Sequence, residues 1–242
     1  MKKDEVAEYI NTIKDPQKFL AYCNKFHESE PRDIAYVVSA NIVSKDPGNI
    51  NFIVAGARII IMTWNVASYQ KLRRDIKLRL EKDIVDAYEE SREDLKSFRG
   101  RRLENIDLDD SNIEDAIKNI FLKFSTKASI GSTGASKILH LINPHVFMMW
   151  DTKIREAYHT LHVGHGLYGK NQKTAECYLE FLKQSQEIIK TLLYNISEDD
   201  LWKEHQKSIE KEFFRVFSFR ETILKMLDEA NYIRFTKGVT II

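Results

Sequence analysis

Asp151 is the residue whose surroundings are best arranged for chemistry. It stands in Trp150-Asp151-Thr152-Lys153-Ile154-Arg155, after an apolar run and at the head of an expected helix. Upstream, Ile130-Gly131-Ser132-Thr133-Gly134 reads as a glycine-punctuated turn that opens an amphipathic helix ending at Asn143-Pro144. Backbone amides in such a turn, with the following helix N-terminus, can hold a phosphate without a charged side chain. The stretch from Ser129 to Arg155 therefore sets one carboxylate beside a backbone anion site. An aspartate just before a helix is also a good N-cap, worth ~1 kcal/mol, and the two roles can coexist.

Other residues that could do chemistry are weighed against packing. His159, His162 and His165 are spaced three apart, but Gly164 and Gly166 break the helix that would align them, and neither a carboxylate nor a cysteine completes a ligand set. No metal site and no cofactor is expected. His140 and His145 flank Pro144 and read as partly buried structural histidines. Arg99-Gly100-Arg101-Arg102 is the most basic short patch, and reads as a solvated loop before it reads as a phosphate contact.

The elements that must position these residues read as helices. Only 9 glycines and 4 prolines punctuate 242 residues, fewer than an all-β fold needs for its turns. Residues 3–14 carry Val6, Ile10 and Ile13 on one face, and Asp15-Pro16 reads as the cap and first position of the next helix. A third begins after Pro31-Arg32-Asp33, and Asp46-Pro47-Gly48-Asn49 is a turn. Residues 52–66 suit a central buried helix, although their β-branched content would allow a strand. Residues 69–99 carry Leu72, Ile76, Leu80, Ile84, Tyr88, Leu95 and Phe98 at helical spacing and read as one long surface helix or two. Residues 112–124 form an amphipathic helix with Ile113, Ile117, Ile120 and Phe124 on its stripe. Thr174 to Leu193, a helix capped by Ser197 and a last helix from Phe213 to Leu227 follow, with a strand-like tail over 232–242.

The formal charge of +1 excludes nucleic-acid binding by net attraction, leaving local patches and backbone amides. Cys23 and Cys177 are the only cysteines, which argues against a disulfide scaffold, a thiolate zinc site or an iron–sulfur cluster and favours a reduced, cytoplasmic setting. The first ten residues carry acids early and do not read as a signal peptide. No run approaches ~18 apolar residues, so no membrane span is expected.

The spacing of the focal stretch resembles the helix-hairpin-helix DNA glycosylase superfamily, the group that includes endonuclease III. In that family a catalytic aspartate follows the hairpin within Asp-Thr-x-Ile, with an arginine close behind. Asp151-Thr152-Lys153-Ile154 with Arg155 gives that pattern, Arg155 one place early. With Gly131 on the second turn glycine, Asp151 falls on the aspartate without a gap, and Ser129 stands in place of the first glycine. The likeness covers residues 110–160 and lacks the cysteine cluster of some members. It implies an all-α, two-lobed bundle containing the hairpin, one unit over 1–242 with lobes at 30–130 and at 131–242 plus the N-terminal helices. It implies base-excision repair on double-stranded DNA carrying a damaged or mispaired base, with Asp151 stabilising the oxocarbenium and activating water. Thr133 falls where bifunctional members carry their Schiff-base lysine, which implies a monofunctional enzyme; Lys137, one helical turn on, is the alternative nucleophile. The resemblance implies DNA contacts at Ile130, Gly131, Ser132, Thr133, Gly134, Lys137, Lys153 and Arg155. An extruded base needs aromatic walls, for which Trp150, Trp64, Tyr69 and Phe147 are available, each also suited to a core. A non-catalytic DNA-binding or scaffold protein with this fold is the alternative, and an accidental motif in an unrelated helical protein a third.

Overall fold

The computed structural model describes residues 3–158, 171–208 and 220–241, and among them every regular element is helical. Local caps set most of the boundaries. After α1 (Lys3–Thr12), Asp15 accepts from the amides of Gln17 and Lys18 and starts α2 (Pro16–Ser29), with Pro16 in the first turn. Following α3 (Asp33–Ser44), Asn49 caps α4 (Ile50–Trp64) through the Asn51 amide. Helix α4 is the centre of the bundle and packs against α3, α7 (Leu80–Ser97) and α9 (Gly131–Ile142). It approaches α3 closely at Gly56, where a Cβ would lie 2.6 Å from Val43 Cγ2.

The segment before α7 departs from the expected long helix. It breaks into α5 (Val66–Gln70) and α6 (Arg74–Lys77), neither with a buried residue. Leu72 and Ile76 have helical spacing but are only half-buried, and Leu78 is exposed; a buried face begins only at Leu80 and continues through Ile84, Ala87, Tyr88 and Leu95. Short helices without such a face lack most of what stabilises them.

Asp110 caps α8 (Ser111–Ser125), which packs on α7, α9 and α11 (Asn171–Asn195) through Ile117, Ile120, Phe121 and Phe124. Phe121 joins the stripe expected from sequence, while Ile113 is only partly buried. Short α10 (Thr152–Ala157) precedes α11, and Ser197 caps α12 (Glu198–Ser208) through the Asp200 amide.

The C-terminal expectations need two corrections. Of the helix expected from Phe213, residues 213–219 lie outside the described residues, and the helix that is described, α13 (Ile223–Asn231), starts where Thr222 caps the Lys225 amide and runs past Leu227. The tail is not extended: Tyr232–Thr236 continues as a π-turn, closed by the Lys237 amide on the Tyr232 carbonyl. Its apolar residues serve the core, with Ile233 fully buried and Tyr9, on α1, hydrogen-bonded to Asn231. Both cysteines are free thiols, and no described helix is long and apolar enough to cross a membrane.

Candidate functional site

The turn between α8 and α9 is tight because one carbonyl, that of Lys127, accepts from the amides of both Ile130 and Gly131 at 3.0 Å. Gly131 sits at φ +64°, where side chains are disfavoured. Ser129 ties the turn to α7 by donating to Asp83 Oδ2 at 2.7 Å, which gives that serine a structural task. Gly134 lets α9 lie against α4, since a Cβ there would be 2.9 Å from Ile61 Cδ1. Helix α9 begins without a side-chain cap, and Gly131, Ser132 and Thr133 are partly exposed at its N-terminus, while Ile130 is buried.

One face of α9 then holds the chain that delivers Asp151. Ser136 Oγ accepts from the Trp150 amide at 3.0 Å. His140 bridges the Phe147 carbonyl at Nδ1 (2.7 Å) and the Tyr36 hydroxyl at Nε2 (2.8 Å). Its imidazole is fully buried and burial pushes it down to about 3, so it is neutral, with Nδ1–H donating and Nε2 accepting. Tyr178 Oη donates to the Met148 carbonyl at 2.9 Å. The segment 146–150 is thus pinned carbonyl by carbonyl, and Asp151 caps α10 by accepting from the Ile154 amide through Oδ1 at 2.9 Å.

Asp151 and Lys137 line the same buried cavity of about 20 Å³, together with Asp228, Lys225, Trp64, Tyr36 and Tyr232. That volume holds about one water molecule. The Lys137 ammonium donates to the Trp64 carbonyl at 2.9 Å and lies 5.9 Å from the Trp64 ring centre. Burial pushes its amine down to about 8, against the opposing pull of Asp151 and Asp228. Burial pushes Asp228 up to about 7, with Lys225 and Lys137 drawing it down and Asp151 reinforcing the rise. A buried amine at about 8 and a half-buried carboxyl at about 7, beside a second carboxylate, can exchange protons with a reacting group.

The other sequence-selected residues divide around this cavity. Trp64 is one of its walls. Trp150 instead packs in the core with Phe121, Tyr178 and Phe181, and Phe147 packs with Phe98. Tyr69 lies away from the cavity, under Lys77. Arg155 stacks 4.7 Å from the Trp150 ring and donates to Thr133 Oγ1, so it joins the first turn of α9 to α10. Lys153 is exposed and paired with Glu156 at 3.2 Å. Arg102 pairs with Glu104 and Glu198, which makes that part of the basic patch structural. His159, His162 and His165 lie outside the described residues. A larger cavity, about 570 Å³, opens between α3, α7 and the end of α9, with Arg99, His145 and Arg220 on its wall; Tyr36 and its partner His140 face it too.

Sequence reasoning missed Asp228, Lys225, Tyr36 and Tyr232. A signal for two of them existed: Lys225 and Asp228 interrupt a helix whose residues Ile223, Leu224, Met226, Leu227 and Ala230 are all buried. No protein-family model, no curated protein and no solved structure matches this chain.

Proposed function

We propose that this chain removes a base from double-stranded DNA, as a two-lobed helix-hairpin-helix glycosylase in which α8, its turn and α9 form the hairpin. The observation that carries the reading is the shared cavity of Lys137, on the helix that follows the turn, and Asp151, an amine and a carboxylate side by side. The amides of Ser132 and Thr133 at the start of α9 would hold a backbone phosphate, with Lys153 and Arg155 on the neighbouring helix. Asp151 is fixed by its bond to Ile154 and would stabilise the cationic sugar as the N-glycosidic bond breaks. In the hydrolytic course, a water in the cavity attacks the sugar C1′ and gives a proton to a carboxylate, while the base leaves with the bonding pair. The extruded base requires the cavity wall at Trp64 and Tyr232 to part, since one water fills the cavity as it stands. The free thiols fit a cytoplasmic setting.

A second course is favoured by the burial of Lys137. Its neutral amine would attack C1′ in place of water and form a Schiff base once the base has left. Buried as it is, Lys137 is a poor phosphate contact.

Duplexes carrying oxidised, deaminated, alkylated and mismatched bases, assayed for base release with and without borohydride, separate these readings. Asp151→Asn is expected to abolish release and keep DNA binding, because asparagine also caps α10. Release without trapping supports the hydrolytic course, and trapping lost in Lys137→Met supports the amine. Binding without release of any base favours a non-catalytic DNA-binding protein, and unchanged excision by Asp151→Asn refutes the assignment of Asp151.

A further inference from the structure

Beneath the cavity, four fully buried side chains from distant parts of the sequence converge: His27 on α2, His205 on α12, Glu221 just before α13 and Glu229 within it. The nearest ring nitrogens, His27 Nε2 and His205 Nε2, are 3.1 Å apart. Glu229 Oε2 is 3.2 Å from the first and 3.8 Å from the second, and Glu221 Oε2 is 3.5 Å and 3.4 Å from them. All four ligand atoms fall within 4.8 Å of one another.

Hydrogen bonding by the other ends of these groups decides which atoms face inward. His27 Nδ1 lies 3.0 Å from Asp33 Oδ2, and His205 Nδ1 lies 3.1 Å from Asn24 Oδ1. With Nδ1 facing these acceptors, both Nε2 atoms are the ring nitrogens turned toward the cluster, and at 3.1 Å they are bridged by a proton or by a metal ion. The inward Oε2 atoms of Glu221 and Glu229 make no hydrogen bond with any described residue. The outward oxygens face Lys225, which bonds Glu229 Oε1 and lies 3.8 Å from Glu221 Oε1 and 3.5 Å from Asp33 Oδ1. Asp33, Glu221 and Glu229 bring three carboxyl groups around the single amine of Lys225, all of them buried.

The geometry points to a divalent transition-metal site ligated by His27 Nε2, His205 Nε2, Glu221 Oε2 and Glu229 Oε2. Ligands held at ~2.0–2.1 Å in a tetrahedron stand about 3.3–3.4 Å apart, and the five separations above run from 3.1 to 3.8 Å around that value. Two nitrogens and two oxygens in a closed four-coordinate set fit Zn²⁺. Asp33 behind His27 and Asn24 behind His205 are the outer partners that fix the tautomer of metal-binding histidines. Every ligand position is taken by protein, so the ion is structural: it clamps α2 to α12 and to both sides of the α13 cap. The inference stands apart from the proposed function, because none of the four ligands lines the cavity of Asp151.

The test is elemental analysis of the full chain purified without chelator, followed by dialysis against dipicolinate and titration with Zn²⁺ and Co²⁺. About one equivalent of metal per chain is expected as purified, with loss of metal lowering the melting temperature by roughly 10 °C and Zn²⁺ restoring it. Co²⁺ should give the intense visible band of a tetrahedral ion. His205→Ala should lose the metal; Glu229→Gln, which keeps the side-chain volume, should bind it more weakly. Because the wild-type chain carries the primary readout, a variant that fails to fold leaves the test intact. A folded chain with less than a tenth of an equivalent, unmoved in melting temperature by Zn²⁺ and without a cobalt band, overturns the site and leaves a proton shared between the imidazoles in its place.

Discussion

Replacing Lys137 by methionine should make the protein more stable at pH 7 and less stable above about pH 10. The folded chain holds this amine at about 8, whereas an unfolded lysine titrates near 10.5. For a group lowered in this way, the charged form is penalised in the fold. The penalty is fully present below pH 8 and lifts as pH rises from 8 to 10.5, because the unfolded chain binds the extra proton across that window. The difference corresponds to about 3 kcal/mol at pH 7. Methionine removes this penalty and gives up the hydrogen bond to the Trp64 carbonyl, worth about 1 kcal/mol. The net gain at pH 7 is about 2 kcal/mol, or roughly 4–8 °C in melting temperature for a chain of this size. Around pH 10 the penalty has fallen to the value of the lost bond, and the two curves should cross. The same depression gives the wild type roughly 300 times more neutral amine at pH 7 than an ordinary lysine. Chemical denaturation of both chains at pH 7 and at several values up to pH 10.5 is the assay, with borohydride trapping on an abasic duplex alongside. A Lys137→Met chain that is less stable at pH 7, with no crossing, would show Lys137 to be a satisfied structural lysine and remove the amine from the chemistry.

Three substitutions examine the frame that holds the cavity. Gly134→Ala should destabilise by about 1–3 kcal/mol, because its Cβ meets Ile61 at 2.9 Å and Ile130 at 3.1 Å in a packed interface, as a denaturation midpoint would show. Gly131→Ala has open space around the new Cβ and should lose only ~1 kcal/mol, through its φ of +64°. Equal effects at the two glycines would contradict the distinction between close packing and backbone strain. Arg155→Lys should lose both the stacking on Trp150 and the bond to Thr133, weakening DNA binding several-fold with little change in net charge; an unaltered affinity would detach the first turn of α9 from α10.

What the sequence made legible was local. Asp15, Asn49 and Asp110 cap helices through amides two or three residues away, so the residues that start each helix stand together in the chain. The closeness of α9 to the head of α10, where Ser136 accepts from the Trp150 amide and Arg155 donates to Thr133, joins residues within one 27-residue stretch. Leu72 and Ile76 were misleading because helical spacing describes a face without supplying a surface for it to bury against. The role of Trp150 was illegible because a tryptophan one residue before a cavity aspartate looks the same in sequence whether its ring turns to the cavity or, as here, to Tyr178 and Phe181. Tyr36, Asp228 and Tyr232 reach the cavity, and His27 reaches His205 and Glu229, only through the packing of α2, α3 and α13.

Helix α13 shows why these buried charges belong to one system. With Leu224, Met226, Leu227 and Ala230 buried around them, Lys225 and Glu229 must be compensated inside the protein, while Asp228 is partly exposed. Glu229 turns toward His27 and His205, while Asp228 turns to the cavity of Lys137 and Asp151. Lys225 stands between them, bonding Glu229 on one side and lining the cavity on the other. Its charge is spent on Glu229, Asp33 and Glu221 to the extent that nothing else neutralises them. Lys225 therefore borders both groups of charges, although no residue of the cluster lines the cavity.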